Sequence, residues 1–388
     1  MLGAVGCAPI SPDPAADDEA DDTAQYEDAL APGCEKTARV LTYDPVGWEH
    51  LVDAFAKNPS PCAHYYIHLP AIAGDKKTPR GQTAVEGIHD KGPQFHALAE
   101  FHWTTWSQSS TASWYDKGVA FRQRMKSAGY VEGRDAWAIN ELPSTVRSDP
   151  KVRAHVRELV RGLYEGPPGA APMGGLVFIV GMGSTTTNFS VYKPAMEDWL
   201  TDAAFWKTMN QYVRWWGQEV YSNPLSSCVD GAPVGQRAAH LNDFTMHPVN
   251  LAAAGPAAAG AARSFFDESY TPVLSGAFRA DTYQTQTISL ANMKAFASTQ
   301  IYATRSYANK HDAPDFRVGV AWNEHPEGVT DAALASLAER IAAAVHSAYP
   351  DDATPIGEIC GPNSAYTLCH CNMNGASFSE RWGTFASW

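Results

Sequence analysis

The chain has 388 residues, of which 45% are hydrophobic and 18% charged, and its formal net charge is -13. This composition is typical of a folded globular protein and excludes a largely disordered chain. The sequence contains no basic stripe, so the electrostatic footprint of a nucleic-acid-binding protein is missing. We therefore expect no nucleic-acid partner.

The N-terminal segment has the features of an export signal and a tether. Residues 1–7 end in the sequence AVGC at 4–7, a run of small residues before a cysteine that resembles the end of a bacterial lipoprotein signal. Residues 8–33 carry only acidic charges, which predicts a disordered, acidic tether. We expect lipidation at Cys7, an extracellular or cell-envelope location, and membrane contact only through that anchor. The alternative is a solvating tail in which Cys7 is unmodified.

The remaining cysteines fit three disulfide bonds in an oxidising compartment: they are Cys34, Cys62, Cys228, Cys360, Cys369 and Cys371. Cys34 and Cys62 each precede one of the first two predicted strands, whose starts lie at the same end of a parallel sheet, so we expect them to pair. Cys360 is expected to pair with Cys369 or Cys371, which leaves the other for Cys228. The two cysteines at 369 and 371 are too closely spaced for a zinc knuckle, so we expect no metal.

Residues 34–388 alternate between short apolar runs, typical of buried strands, and amphipathic runs, typical of helices. In the first half, strands are predicted at 38–43, 64–69, 95–103, 136–141 and 175–181. Helices are predicted between them at 48–57, 113–130 and 151–165. The alternation of strands with helices indicates parallel βαβ units.

The second half of the chain is less regular. A long amphipathic helix is predicted at 193–221, and a sixth strand is expected between Val220 and Arg279 without a definite place. Three further segments follow: a strand at 316–322, a helix at 331–349 and a last strand at 354–359. We therefore predict a single domain over 34–388, an α/β fold of the TIM-type (β/α)8 barrel kind with helical insertions. A doubly wound open sheet is the alternative.

Two strand ends carry the same short motif. The fourth strand runs into Asn140-Glu141 and the strand at 316–322 runs into Asn323-Glu324, with a proline two residues after each glutamate. In a barrel the active site lies at the carboxyl ends of the strands, where burial raises the pKa of a glutamate. Two such glutamates that face each other are what a retaining glycosidase needs. For each glutamate the alternative is a carboxylate that pairs with an arginine or caps a helix.

This pair of motifs resembles those of the clan-A glycoside hydrolases, which are TIM barrels. In that clan an Asn-Glu at the end of strand four supplies the acid/base, and a glutamate at the end of strand seven is the nucleophile. With 354–359 as strand eight, Glu324 falls on strand seven. The resemblance therefore implies that Glu141 is the acid/base and Glu324 the nucleophile. The chain also resembles uncharacterised secreted bacterial proteins.

Aromatic and histidine side chains near these strand ends favour a sugar ligand, because flat rings stack on the apolar faces of pyranoses. The predicted substrate-binding set consists of Asn140, Asn323, His68, His102, Trp103, Trp106 and Trp322. Period-two alternation places His102 on the same face of the third strand as Glu100, from where it could reach a sugar hydroxyl or Glu141. Core packing is the alternative for the tryptophans, above all for Trp137 and Trp322 beside the two motifs.

Other chemistries find less support. The turn after the fifth strand, Gly181–Thr185, is glycine-rich but lacks the lysine of a phosphate-binding loop. No Gly-x-Ser-x-Gly elbow follows a strand, and no histidine motif of a metallohydrolase occurs, so we expect no cofactor. The predicted function is a secreted or lipid-anchored glycoside hydrolase that cleaves a poly- or oligosaccharide by a two-glutamate retaining mechanism. The alternative is a non-catalytic carbohydrate-binding or scaffolding lipoprotein on a barrel fold.

Phase partitioning tests the lipoprotein hypothesis. If Cys7 is lipidated, the mature protein enters the detergent phase of a two-phase extract, and Cys7→Ser moves it to the aqueous phase. We expect more than one acyl chain on the mature protein, because a single chain binds a membrane only marginally. Equal partitioning of the two forms would show that Cys7 carries no anchor.

Overall fold

The computed structural model describes residues 38–46, 48–69, 83–107, 112–142, 144–179, 198–199, 201–220, 269–275, 294, 297, 301, 317–323 and 330–348. The segment with Cys7 and the acidic tether at 8–33 lies outside these residues, so both stay predictions. Cys62, the one cysteine in the described part of the chain, is disulfide-bonded. Its pairing with Cys34, and the pairing of the other four cysteines, stay predictions as well.

Eight parallel strands form a closed ring in the order of the chain. They are β1 Ala38–Val46, β2 Ala63–Leu69, β3 Phe95–His102, β4 Ala136–Leu142, β5 Gly175–Ile179, β6 Val213–Val220, β7 Tyr270–Ser275 and β8 Arg317–Asn323. Each strand pairs in parallel with the next, and β8 pairs with β1. The predicted α/β class with parallel strands is confirmed. The connections after β6 and β7, where helical insertions are expected, lie outside the described residues except at 269, 294, 297 and 301.

Helices follow most of the strands. The described helices are α1 Trp48–Lys57, α2 Ala84–His89, α3 Trp103–Ser107, α4 Trp114–Ser127, α5 Pro150–Glu165, α6 Ala203–Tyr212 and α7 Asp331–Ala348. Several begin at a capping side chain: for example, the Ser113 hydroxyl accepts the Asp116 backbone N–H before α4, and Asp149 precedes the first-turn Pro150 of α5. Among the described helices, none combines the length and the hydrophobicity that a membrane crossing needs.

Alternation along the strands produces two apolar layers. The inner layer takes residues from each of β1 to β7: Leu41, Tyr66, Leu98, Ala136, Ala138, Leu176, Trp215 and Val273. In the outer layer, strand residues such as Ile67 and Phe101 pack against helix residues such as Phe121 and Leu159. Polar side chains that share the inner face with the first layer are therefore candidates for function, because burying them is costly without a partner.

The predicted helix at 193–221 is wrong in its second half. The structure has α6 at Ala203–Tyr212 and then β6 at Val213–Val220. A helical spacing of apolar residues continues across this boundary, at Phe205, Trp206, Met209, Val213 and Trp216, so the spacing alone does not reveal the change. Within β6, Trp215 belongs to the inner layer and Trp216 to the outer layer, which is the alternation of a strand.

The strand predicted at 316–322 is the eighth strand and not the seventh. β8 pairs with β7 on one side and with β1 on the other, which closes the ring. The segment at 354–359, predicted as the last strand, is not needed for this closure and lies outside the described residues. Glu324 consequently follows β8, and the position on strand seven that the resemblance implies for it is wrong.

Helices α4 and α5 approach each other at two glycines. A Cβ atom at Gly118 would lie 2.6 Å from the Leu163 backbone nitrogen, and one at Gly162 would lie 2.2 Å from the Tyr115 carbonyl oxygen. Both distances are well below van der Waals contact, and the clashing atoms are backbone atoms that cannot turn away. The close crossing of α4 and α5 therefore depends on glycine at both positions.

Gly162→Ala should destabilise the fold in spite of the higher helix propensity of alanine. The added methyl group forces α4 and α5 apart, and overpacking of this kind costs about 1–3 kcal/mol. Urea unfolding followed by circular dichroism measures the difference, with Glu158→Ala on the exposed face of α5 as the matched control. A Gly162→Ala protein as stable as the control would contradict the close packing of α4 against α5 at this glycine.

Candidate functional site

Three polar side chains share the inner face of the barrel at the carboxyl ends of neighbouring strands. His68 lies two residues after Tyr66 on β2, Glu100 two residues after Leu98 on β3, and Asn140 two residues after Ala138 on β4. We call His68, Glu100 and Asn140 the polar cluster. The cluster follows the inner apolar layer toward the strand ends, the end of a barrel where active sites lie.

Glu100 is the centre of the polar cluster. Asn140 Nδ2 donates to Glu100 Oε1 over 3.4 Å, and His68 Nε2 lies 3.7 Å from Glu100 Oε2. The side chains of His68 and Glu100 are only 1% and 6% exposed, whereas Asn140 is half-buried. A ligand in the barrel mouth therefore reaches Asn140 before it reaches the other two.

His68 is neutral in this environment. Burial lowers the pKa of its imidazole to about 3, because a charged ring would lose its hydration. The contact between His68 and Glu100 is therefore a contact between a neutral ring and a carboxyl group, too long for a hydrogen bond. His68 does not act as a proton donor near neutral pH, and its part in the cluster is to pack against Glu100.

A β-bulge lies next to the polar cluster. Ile139 pairs with Val177 and Leu142 pairs with Ile179, so two residues of β4 stand opposite a single residue of β5. The two residues in the bulge are Asn140 and Glu141. Bulges are frequent beside active sites because they bend the strand and change the direction of a side chain. The predicted Asn-Glu motif thus coincides with the one irregularity in the pairing of β4 with β5.

The second motif is described only in part. Trp322 and Asn323 are the last two residues of β8, where the backbone of Asn323 pairs with Val46 of β1. Glu324 lies outside the described residues. The predicted roles of Glu141 and Glu324 stay predictions.

His102 lies further out along β3 and is exposed. Its Nδ1 accepts the Thr105 backbone N–H over 3.3 Å and lies 3.1 Å from Thr105 Oγ1, so the ring caps the start of α3. Because Nδ1 is an acceptor, the proton of neutral His102 lies on Nε2. The predicted contact with a sugar hydroxyl would therefore use Nε2–H as the donor.

The tryptophans after β3 pack against other rings of the protein. Trp103 stacks on Trp114 with ring centroids 4.1 Å apart, and Trp106 stacks on Phe101 at 5.1 Å. Protein neighbours therefore contact both rings, and the Arg124 guanidinium also lies over the Trp106 ring, 5.3 Å from its centroid. Trp137 is fully buried and its indole N–H donates to the Met173 carbonyl over 2.6 Å, so this tryptophan belongs to the core.

Glu100 is the functional candidate that the sequence motifs did not single out as a site residue. Its signal was an acid at an inward position of a strand whose other residues are apolar apart from two histidines. No group of three or more potential metal ligands occurs within the described residues. The groups that form the candidate site are the Glu100 carboxyl, the Asn140 amide and the His68 ring.

Comparison with known proteins gives no family. No protein-family model matches the chain, and no curated protein matches it. Among solved structures, a chitinase domain from Pyrococcus furiosus is 7% identical, with 81% of this chain and 98% of that chain covered and a TM-score of 0.41. A GH5 xyloglucan-specific β-1,4-glucanase from a ruminal metagenomic library is 9% identical, with 77% and 86% covered and a TM-score of 0.38. A GH5-4 endoglucanase from Clostridium acetobutylicum is 11% identical, with 80% and 96% covered and a TM-score of 0.38.

These likenesses are too weak to transfer an activity. A common barrel hosts many unrelated reactions, so a distant match in shape says nothing about the chemistry.

The neutral state of His68 predicts a pH dependence of stability. The unfolded chain binds a proton at His68 near pH 6.5, whereas the folded protein does so only near pH 3. Folding therefore loses stability as the pH falls from about 6.5 toward 3, by up to ~1.4 kcal/mol per pH unit from this group. His68→Gln should reduce this slope in urea unfolding at pH 5 and pH 7, while His155→Gln on the exposed surface should not. Equal slopes in all three proteins would show that His68 titrates normally.

Proposed function

We propose that this protein is a glycoside hydrolase that cleaves a poly- or oligosaccharide at the carboxyl end of the barrel. The observation that carries the proposal is the contact between buried Glu100 and half-buried Asn140, beside the bulge that contains Glu141. The Asn140 amide, which can bind hydroxyl groups, and the Glu100 carboxyl thus lie at one edge of the ring, and Glu141 is the next residue in the sequence after Asn140. Carbohydrate sites combine such groups because sugars present many hydroxyls and because glycosidic cleavage needs paired carboxyls.

The proposed chemistry uses two glutamates. Glu141 gives its proton to the glycosidic oxygen while a carboxylate oxygen of Glu324 attacks the anomeric carbon, so the bond to the leaving group breaks as the glycosyl-enzyme bond forms. Glu141 then takes a proton from water, and that water releases the sugar and regenerates Glu324. Asn140 would bind the hydroxyl next to the anomeric carbon.

The position of Glu324 after β8 bears on whether the proposed reaction retains or inverts the configuration of the anomeric carbon. In a ring of eight strands β4 and β8 lie opposite each other, so the two glutamates would act from opposite walls on a sugar between them. Roughly 5–5.5 Å between the two carboxyls supports retention and about 6.5–9.5 Å supports inversion. We keep retention as the proposal, and the anomer that forms first, observed by ¹H NMR, distinguishes the two outcomes.

The proposal also places the protein in the cell envelope or outside the cell. Its support is the run of small residues before Cys7 and the acidic segment at 8–33, which together resemble a lipoprotein signal and tether. A polysaccharide substrate is compatible with this place, because such polymers are too large to enter a cell intact.

The two glutamates give distinct predictions once a broad screen of polysaccharides and aryl glycosides has found a substrate. Glu324→Gln should abolish turnover of every substrate, because no nucleophile remains. Glu141→Gln should retain activity on aryl glycosides with good leaving groups, which need no proton in the first step. Azide should restore turnover to Glu141→Ala by capturing the glycosyl-enzyme.

Glu158→Gln, an exposed substitution on α5, is the control for the loss of one negative charge. Full activity of both Glu141→Gln and Glu324→Gln on a substrate that the native protein cleaves would contradict the assignment. Binding of a glycan without cleavage in the screen would favour the carbohydrate-binding or scaffolding function instead.

A further inference from the structure

We propose that Glu100 is a positioning residue that holds the Asn140 amide in one orientation, so that the site selects a sugar with a hydrogen-bond donor next to the anomeric carbon. The selection of the sugar rests on the proposed glycosidase function. The orientation of the amide stands on the geometry of the polar cluster alone.

The first step is the direction of the hydrogen bond between the two residues. Asn140 Nδ2 faces Glu100 Oε1 at 3.4 Å. Because Nδ2 is the donor and Oε1 the acceptor in this bond, the amide turns its NH2 group toward Glu100. The amide group is planar, and its oxygen Oδ1 therefore points away from the bond with Glu100.

The second step is access to the two residues. The side chain of Glu100 is 6% exposed, whereas Asn140 is half-buried and lies at the strand end. A ligand in the barrel mouth therefore contacts the amide and not the carboxylate behind it. Oδ1 has two lone pairs, so it can accept a hydrogen bond from a ligand in addition to any from the protein.

The third step is the rigidity of the arrangement. Glu100 is confined between His68 on β2 and Asn140 on β4, and all three residues lie on neighbouring, paired strands. His68 is 1% exposed and packs against the carboxyl group without a hydrogen bond to it. Glu100 therefore has little freedom to release the amide and turn elsewhere.

The fourth step is the place of Asn140 relative to the proposed acid/base. Asn140 and Glu141 share the bulge of β4, so the group that Asn140 binds lies close to the bond that Glu141 would protonate. With Oδ1 presented to it, that group has to be an O–H or N–H donor. The preferred class of substrate is a glycoside with a free 2-hydroxyl, and a 2-deoxy-2-fluoro sugar, which can only accept, is disfavoured.

The orientation is tested first without any ligand. In protein labelled with ¹⁵N at asparagine, the Asn140 side-chain NH2 signals are identified by their loss in Asn140→Asp. We expect these protons to resonate downfield and to exchange slowly with water in the native protein. Glu100→Leu, which removes the acceptor at similar volume, should shift them upfield and speed their exchange about tenfold. Glu100→Gln, which keeps an acceptor, should restore part of the protection.

The selection of the sugar is tested with matched substrates. The probes are 4-nitrophenyl glycosides of the sugar that the native enzyme cleaves and their 2-deoxy-2-fluoro counterparts. The fluorine slows the chemistry in every variant, so the informative quantity is the ratio of kcat/KM for the hydroxyl and fluoro substrates. We expect this ratio to fall about tenfold in Glu100→Leu, because one oriented hydrogen bond is lost. It should be unchanged in Glu158→Gln.

The outcomes separate the two proposals. Rapid exchange of the Asn140 NH2 protons in the native protein, or signals that do not respond to Glu100→Leu, would overturn the positioning role of Glu100, and the measurement on the native protein needs no variant to fold. An unchanged hydroxyl-to-fluoro ratio in Glu100→Leu would overturn the selection of the donor. If no glycoside is cleaved at all, the proposed function fails, while the NMR result still decides the orientation of Asn140.

Discussion

The pairing of β8 with β1 closes the ring of eight strands, and this closure decides which side chains are buried together. Every strand then directs alternate residues into an interior that, with eight strands, is just wide enough for side chains. The inner layer meets this limit by combining small Ala136 and Ala138 on β4 with the large rings of Tyr66 and Trp215, whose centroids are 4.3 Å apart. In such a dense interior, the hydrogen-bond partner of a polar side chain has to lie on a neighbouring strand.

The polar cluster is the place where the barrel departs from apolar packing. Burying Glu100 and His68 has a cost, which is visible in the lowered pKa of His68. Apolar residues of similar volume at such positions are often neutral or stabilising, so stability does not explain the choice. The cluster lies at the carboxyl ends of the strands and next to the bulge of β4. Departures from local rules at such places are expected where a protein trades stability for function.

Much of the fold and part of the site could be predicted because the signals are local. The strands β1 to β5 and β8, and the helices α1, α4, α5 and α7, correspond to apolar runs and helical periods that are complete within each segment. The Asn-Glu motif at 140–141 is likewise local, because its place at a strand end follows from the run before it. His68 and Glu100 could be placed on the inner face by alternation alone. By itself, then, the sequence determined the α/β class, the order of most elements and the candidates at their ends.

The tertiary structure decided what depends on partners distant in the chain. The boundary between α6 and β6 was hidden because apolar residues keep a helical spacing across Tyr212, and only pairing with β5 and β7 makes Val213–Val220 a strand. The rank of 317–323 as the eighth strand, the bulge at Asn140 and the contact between Asn140 and Glu100 all arise from pairing between separate segments. Likewise, the stacking of Trp103 on Trp114 and of Trp106 on Phe101 is visible only in the tertiary structure. Local periodicity shows which face of a strand a residue occupies. Which residue lies beside it on the next strand depends on how the eight strands pair in the closed ring.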